Sequence, residues 1–144
     1  MTKIDFYVLP DTGTETRLEL VCKLAEKAVQ RDKSVFIHAS DESILTHLDT
    51  LLWNFRADSF VPHRVMPANE PNNALDNDPV LLSTGAPGAD RRVLINLADD
   101  VPPFFSRFER TLEVVSQAEE VRETGRARYR FYKQRGYPLQ HHKM

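Results

Sequence analysis

Ile4-Asp5-Phe6-Tyr7-Val8-Leu9, then the amphipathic stretch Thr14 to Gln30, then Val35-Phe36-Ile37-His38-Ala39 form the part of the chain that decides the fold. The first and last of these runs are short, apolar and rich in β-branched and aromatic residues, which is how buried strands read. Between them Leu18, Val21, Cys22, Ala25, Ala28 and Val29 recur at the spacing of one helix face. Ser40 or Asp41 then offers an N-cap, and Ile44, Leu48, Leu51, Leu52 and Phe55 supply the core face of a second helix. A strand that returns to a parallel neighbour needs a crossover of helical length, so this opening predicts a sheet covered on both faces.

Downstream, a loop holds Pro67, Pro71, Asn72 and Asn73, and strands are expected at Val80 to Ser83 and Val93 to Leu97. A helix around Phe104 to Arg110 and a final strand at Thr111 to Ser116 complete the alternation, ahead of a basic helix over about 117–135. The expectation is an α/β single-domain layered sandwich spanning residues 1–144, with a mostly parallel central sheet flanked by helices. Its topology is Rossmann-like, without a phosphate-binding loop. A chain of 144 residues with 41% hydrophobic content suits one soluble domain. The start of the sequence lacks a charged and then apolar leader, no run approaches a membrane span, and one cysteine, Cys22, fits a reducing cytoplasm. On its helix Cys22 occupies a small core position, so packing is its expected role.

The net charge of −2 hides a partition. Val121 to Met144 carries seven of the nineteen Lys and Arg residues against one acid, Glu123, for a net of +6, while the preceding residues sum to −8. On a helix, Arg122, Arg126, Tyr129, Arg130 and Lys133 share one face. Arg122, Arg126 and Arg130 form a like-charge ladder at spacing four with no carboxylate placed to neutralise it. Such repulsion costs a few tenths of a kcal/mol per pair. The ladder fits a solvated surface, and it also fits a ligand that presents carboxylates or phosphates beside an apolar group, because guanidinium forks either oxyanion.

Catalysis and nucleotide binding find little support. The loop Pro10 to Arg17 has Gly13 as its only glycine, and Asp11 and Glu15 would repel an anion at the helix start. Ser83 to Arg92 lacks the phosphate-loop lysine and reads as a hairpin or crossover loop. His38, His47, His63, His141 and His142 form no metal-ligand spacing with carboxylates, and Asp99 and Asp100 precede Pro102 and Pro103 as a turn would. No catalytic residues, metal ligands or cofactor are expected. In Leu52 to His63, Trp53 stands one position off its helix's core stripe and Phe60 falls in the next loop. Both fit anchors of a protein interface, and both fit caps on the sheet edge.

Together these residues resemble the chi subunit family of bacterial DNA polymerase III. The resemblance runs essentially end to end. It rests on Phe6-Tyr7-Val8-Leu9, Leu52-Trp53, Ser59-Phe60-Val61-Pro62-His63, Val93-Leu94-Ile95-Asn96-Leu97, Glu113-Val114-Val115, Ala127-Arg128-Tyr129-Arg130, Tyr132 and Gly136-Tyr137. It implies a non-catalytic adaptor within a DNA-directed DNA polymerase complex, linking the clamp loader to the acidic C-terminal tail of single-stranded DNA-binding protein. Single-stranded DNA is then met indirectly, and no membrane is involved. The resemblance assigns Arg122, Arg126, Tyr129, Arg130 and Val115 to the tail. It assigns Phe60 and Trp53 to a second interface with the psi subunit, where the organism has one. Two other readings stay open: a module binding single-stranded nucleic acid directly through the same arginines, and a small nucleotide-dependent enzyme.

Overall fold

The computed structural model describes residues 1–54, 61–68, 78–88 and 90–144. In chain order these form β1 (Lys3–Val8), α1 (Thr14–Gln30), β2 (Val35–His38), α2 (Glu42–Asn54), β3 (His63–Val65), β4 (Val80–Ser83), β5 (Val93–Asn96), a 3₁₀ turn at Phe105–Arg107, β6 (Arg110–Val115), α3 (Glu119–Gln134) and β7 (Leu139–Lys143). The strands make one sheet in the order β3-β4-β2-β5-β6-β1-β7, and every pairing between them is parallel. This is the expected layered α/β sandwich. The Ser83 to Arg92 loop is a crossover and not a hairpin, because β4 and β5 lie on either side of β2 and run parallel to it.

Alternation of side chains along the central strands builds two cores. Val35, Ile37, Val80, Leu82, Val93, Ile95, Leu112 and Val114 pack beneath α1 and α2, with Leu18, Val21, Cys22, Ala25, Leu45, Leu48 and Leu52. Phe36, Leu81, Leu94, Ile4, Phe6 and Val115 face the other way, against the 3₁₀ turn and α3, through Phe104, Phe105, Phe108 and Tyr132. Phe55, expected on the α2 core face, lies outside the described residues. The α2 N-cap is Asp41, whose Oδ1 accepts from the Ser43 amide at 2.9 Å.

The expected helix at Phe104 to Arg110 is instead a single 3₁₀ turn. The Glu109 amide donates to the Arg92 carbonyl, and the Glu109 carbonyl accepts from the Lys3 amide, both at 3.0 Å. The backbone there is already committed to the sheet edge, so no further helical turn can close. Beyond α3, Gly136 takes φ +76. The Tyr137 amide donates to Tyr132 O, and that of Gly136 to Lys133 O, each at 3.1 Å. This paired closure ends the helix and turns the chain into β7, a strand the polar sequence Leu-Gln-His-His-Lys does not announce.

A buried polar network fixes α3 on the sheet. The Glu113 carboxylate, on β6 and fully buried, accepts from Arg128 Nε at 2.9 Å, the Tyr132 hydroxyl at 2.7 Å and Asn96 Nδ2 at 3.0 Å. Arg128 also donates to the Asp99 carbonyl at 2.9 Å. Burial, and then the charge of Glu113, push the Tyr132 phenol well above its usual range.

Removing one member of a buried ion pair leaves the other uncompensated, which typically costs about 3–5 kcal/mol. Arg128→Met is therefore expected to lower urea-unfolding stability by about that amount, and Glu113→Gln combined with Arg128→Met to lose less than Arg128→Met alone. Equal losses would show that the pair carries no special burden. The raised Tyr132 phenol stays protonated when folded, at pH values where the unfolded phenol ionises near 10. Its contribution is complete below that pH and is lost as pH rises beyond it. In Tyr132→Phe the fall of stability above about pH 10 should be shallower than in the parent.

Candidate functional site

With Gly125, Arg128 and Tyr132 turned toward the sheet, the helical repeat sends Arg122, Arg126 and Arg130 toward the outside of α3. A cavity of about 480 Å³ opens along this edge of the helix. Arg122, Gly125, Arg126, Tyr129 and Arg130 line it from α3, Phe6 and Val8 from β1, Val115 from the end of β6, Gln117 from the connection and His141 from β7. Its floor is apolar. The Tyr129 ring meets Phe6 edge-on at 5.3 Å between centroids and lies 6.3 Å from His141. Gly125 permits the close approach of α3 here, because a Cβ at that position would sit 3.0 Å from Val115 Cγ2.

All five residues expected at the helix site, Val115, Arg122, Arg126, Tyr129 and Arg130, thus border one cavity. Lys133 shares their helix face but is absent from the lining. Phe6, Val8, Gln117 and His141 are lining residues that the helix pattern could not supply, whereas Gly125 falls on the same helix three residues after Arg122. The period-two alternation of β1 does place Phe6 and Val8 on one face, and that signal was readable. His141 arrives only through β7.

One expectation needs correction: the arginine ladder is not free of carboxylate. Glu123 Oε1 lies 3.4 Å from Arg126 Nη1 and 4.0 Å from Arg122 Nε, since a residue one step along the helix can still lean across its face. More than half of the Glu123 side chain is exposed, so this pairing contributes only tenths of a kcal/mol. Arg130 has no ion pair among the described residues. Arg122 Nε is buried with no hydrogen-bond acceptor there. Three guanidinium groups around an apolar floor, one with an unpaired buried donor, can take up oxyanions attached to an apolar group.

The second expected surface is only partly described. Trp53 is 58% exposed at the end of α2, so it is an outward-facing ring and no part of the core. Its ring stands edge-on to His63 at 5.5 Å. His63 is held at Nε2 by Asp49 Oδ1 and at Nδ1 by the Val61 carbonyl, both at 2.8 Å. Phe60 lies outside the described residues.

Among the described residues no group of His, Cys, Asp and Glu is placed to hold a metal ion. Cys22 is buried, and burial pushes its thiol up to about 12, against thiolate chemistry. His38 donates from Nδ1 to the Ser83 carbonyl, and burial lowers its pKa, so it is neutral. His47 pairs with Glu15 at the surface. No described helix is long and apolar enough to cross a membrane.

Comparison with known proteins finds relatives along the whole chain. Residues 1–140 match the protein family described as DNA polymerase III chi subunit, HolC. A DNA polymerase III subunit chi of Pseudomonas aeruginosa is 41% identical over 145 aligned residues, covering 100% of this chain and 98% of the relative. One from Escherichia coli is 28% identical, covering 96% of each chain, and one from Haemophilus influenzae is 29% identical, covering 93% and 92%. The chain belongs to the DNA polymerase III chi subunit family, a replication accessory component of that polymerase.

Proposed function

We propose that the chain is a non-catalytic adaptor of the replicase that captures the acidic, apolar-ended C-terminal tail of single-stranded DNA-binding protein and links it to the clamp loader. The observation that carries this reading is the cavity beside α3, where Arg122, Arg126 and Arg130 surround a floor made by Phe6, Val8, Val115 and Tyr129. An acidic peptide ending in an apolar residue with a free carboxylate has the complementary chemistry. Arg126 takes the terminal carboxylate or its neighbouring acid, Arg122 and Arg130 take the acidic side chains, and Tyr129 with Val115 holds the apolar side chain. Arg122 Nε, buried without an acceptor among the described residues, gains one when a carboxylate binds.

The second partner, psi or another clamp-loader-linked protein, docks around Trp53 and Phe60. Trp53 is on α2, which covers the sheet face opposite α3, so both partners can bind at once. An adaptor needs that separation.

Hydrogen bonds to charged groups contribute about 1.5–3 kcal/mol, and 1.4 kcal/mol is tenfold in affinity. Arg126→Ala should therefore weaken binding of a labelled tail peptide at least tenfold in fluorescence anisotropy, without changing the unfolding midpoint. Arg126→Lys should fall between the two, because an ammonium keeps the charge and loses the fork. Unaltered affinity in Arg126→Ala would sink the assignment. Gly125→Ala should also weaken the peptide, since its new methyl presses on Val115 at the cavity wall. Trp53→Ala should leave peptide affinity unchanged while weakening capture of the second partner.

A further inference from the structure

A larger cavity of about 770 Å³ lies away from α3, at the amino-terminal edge of the sheet and on the face covered by α1. Six cationic side chains border it: Lys3 of β1, Lys27 of α1, Arg31 and Lys33 from the turn that follows, Arg107 of the 3₁₀ turn and Arg110 of β6. Glu109 is the one acidic residue in its lining. That carboxylate is already held by Lys33 at 3.5 Å and by Arg92 at 2.9 Å. Arg107 pairs with Asp90, and Arg110 with the buried Asp5. Lys3, Lys27 and Arg31 have no ion pair among the described residues, and all are exposed.

The carboxyl end of a helix favours cations through its dipole, which accounts for Lys27 and Arg31. It does not account for Lys3, Arg107 or Arg110, which come from other elements and gather here only through the fold. Their convergence leaves a local excess of positive charge inside a segment, residues 1–120, whose sum is −8. Half of the six are lysines, compact charges suited to phosphates along a flexible backbone, whereas the α3 site is all arginine and suited to forked carboxylates. Leu24, Ala28 and Leu112 form an apolar floor, which a base can cover while neighbouring phosphates meet the rim.

We infer that this trough binds the phosphodiester backbone of single-stranded DNA, at a site separate from the cavity beside α3. A replication subunit tethered by a peptide tail would then touch the strand itself through its opposite face.

The test is fluorescence anisotropy of a labelled oligothymidylate titrated with the full chain at low and rising salt. The full chain is expected to bind it with an affinity that falls steeply with salt, as phosphate neutralisation requires. Lys27→Glu combined with Arg31→Glu, both exposed positions, should weaken that binding tenfold or more with an unchanged unfolding midpoint and unchanged tail-peptide affinity. Arg126→Ala should bind the oligonucleotide as the parent does. No binding at low salt, or loss in Arg126→Ala with retention in the charge-reversed variant, would overturn the inference. So would equally tight binding of duplex, or displacement by inorganic triphosphate at equal phosphate concentration.

Discussion

Glu113 holds a fully buried carboxylate at the middle of the sheet, and donors from α3 and β5 converge on it: Arg128, Tyr132 and Asn96. An ionised carboxylate in such a place is costly unless it is paired and hydrogen-bonded. The pairing determines more than stability. Arg128 and Tyr132 lie four residues apart on α3, and both must reach the same two oxygens, so the helix has one rotation on the sheet that satisfies them. That rotation carries Arg122, Arg126 and Arg130 outward, brings Tyr129 over Phe6, and presses Gly125 against Val115. The geometry of the cavity beside α3 is thus a consequence of a carboxylate that never touches the ligand. A purely apolar seam would tolerate small rotations of the helix. The directional bonds to Glu113 do not.

The strand β6 serves both cores and the site with one alternating sequence. Leu112 and Val114 pack beneath α1, Thr111 and Glu113 face α3, and Val115 ends the strand as a wall of the cavity. Arg17 adds a tie from the opposite side, donating from Nε to the Val114 carbonyl at 2.9 Å. Burial, followed by the nearby charge of Arg128, lowers its pKa to about 10, still well above neutral pH. Two buried guanidinium groups therefore approach the same strand from its two faces, with Glu113 as the shared counter-charge.

Much of this was legible in the sequence. The strands Val80–Ser83 and Val93–Asn96 and the helix Thr14–Gln30 lie where hydrophobic periodicity puts them, because their burial is strong and one-sided or complete. The arginine ladder was legible too, as helical spacing alone groups Arg122, Arg126, Tyr129 and Arg130. Arg128 was not. By composition it is one more cation of a basic arm, and only the fold shows it buried at 2% exposure against Glu113. β7 escaped because an edge strand has one neighbour and needs few apolar residues; half of the pairing that defines it is β1, more than a hundred residues earlier in the chain. With β7 went His141, one wall of the site. The 3₁₀ turn escaped because Phe104, Phe105 and Phe108 have helical spacing, while the competing constraint, the sheet bonds of Glu109, is written in no local pattern.

Charge shows the same limit of local reading. Summed along the chain, positive charge belongs to the C-terminal arm and negative charge to the rest. In the fold, part of the arm's charge is used internally, since Arg128 neutralises Glu113. Asp5, buried on β1 beside β7, is held by Arg110 from the preceding segment. Meanwhile the acidic segment contributes Lys3, Lys27 and Arg31 to one rim, where no described carboxylate pairs with them. Electrostatic attraction beyond about 8–10 Å is largely screened at physiological salt, so a ligand responds to these local groupings and hardly at all to the net −2. What the fold sorts is therefore not the amount of charge but its chemistry: guanidinium groups around an apolar floor on one face, and mixed ammonium and guanidinium groups around a trough on the other.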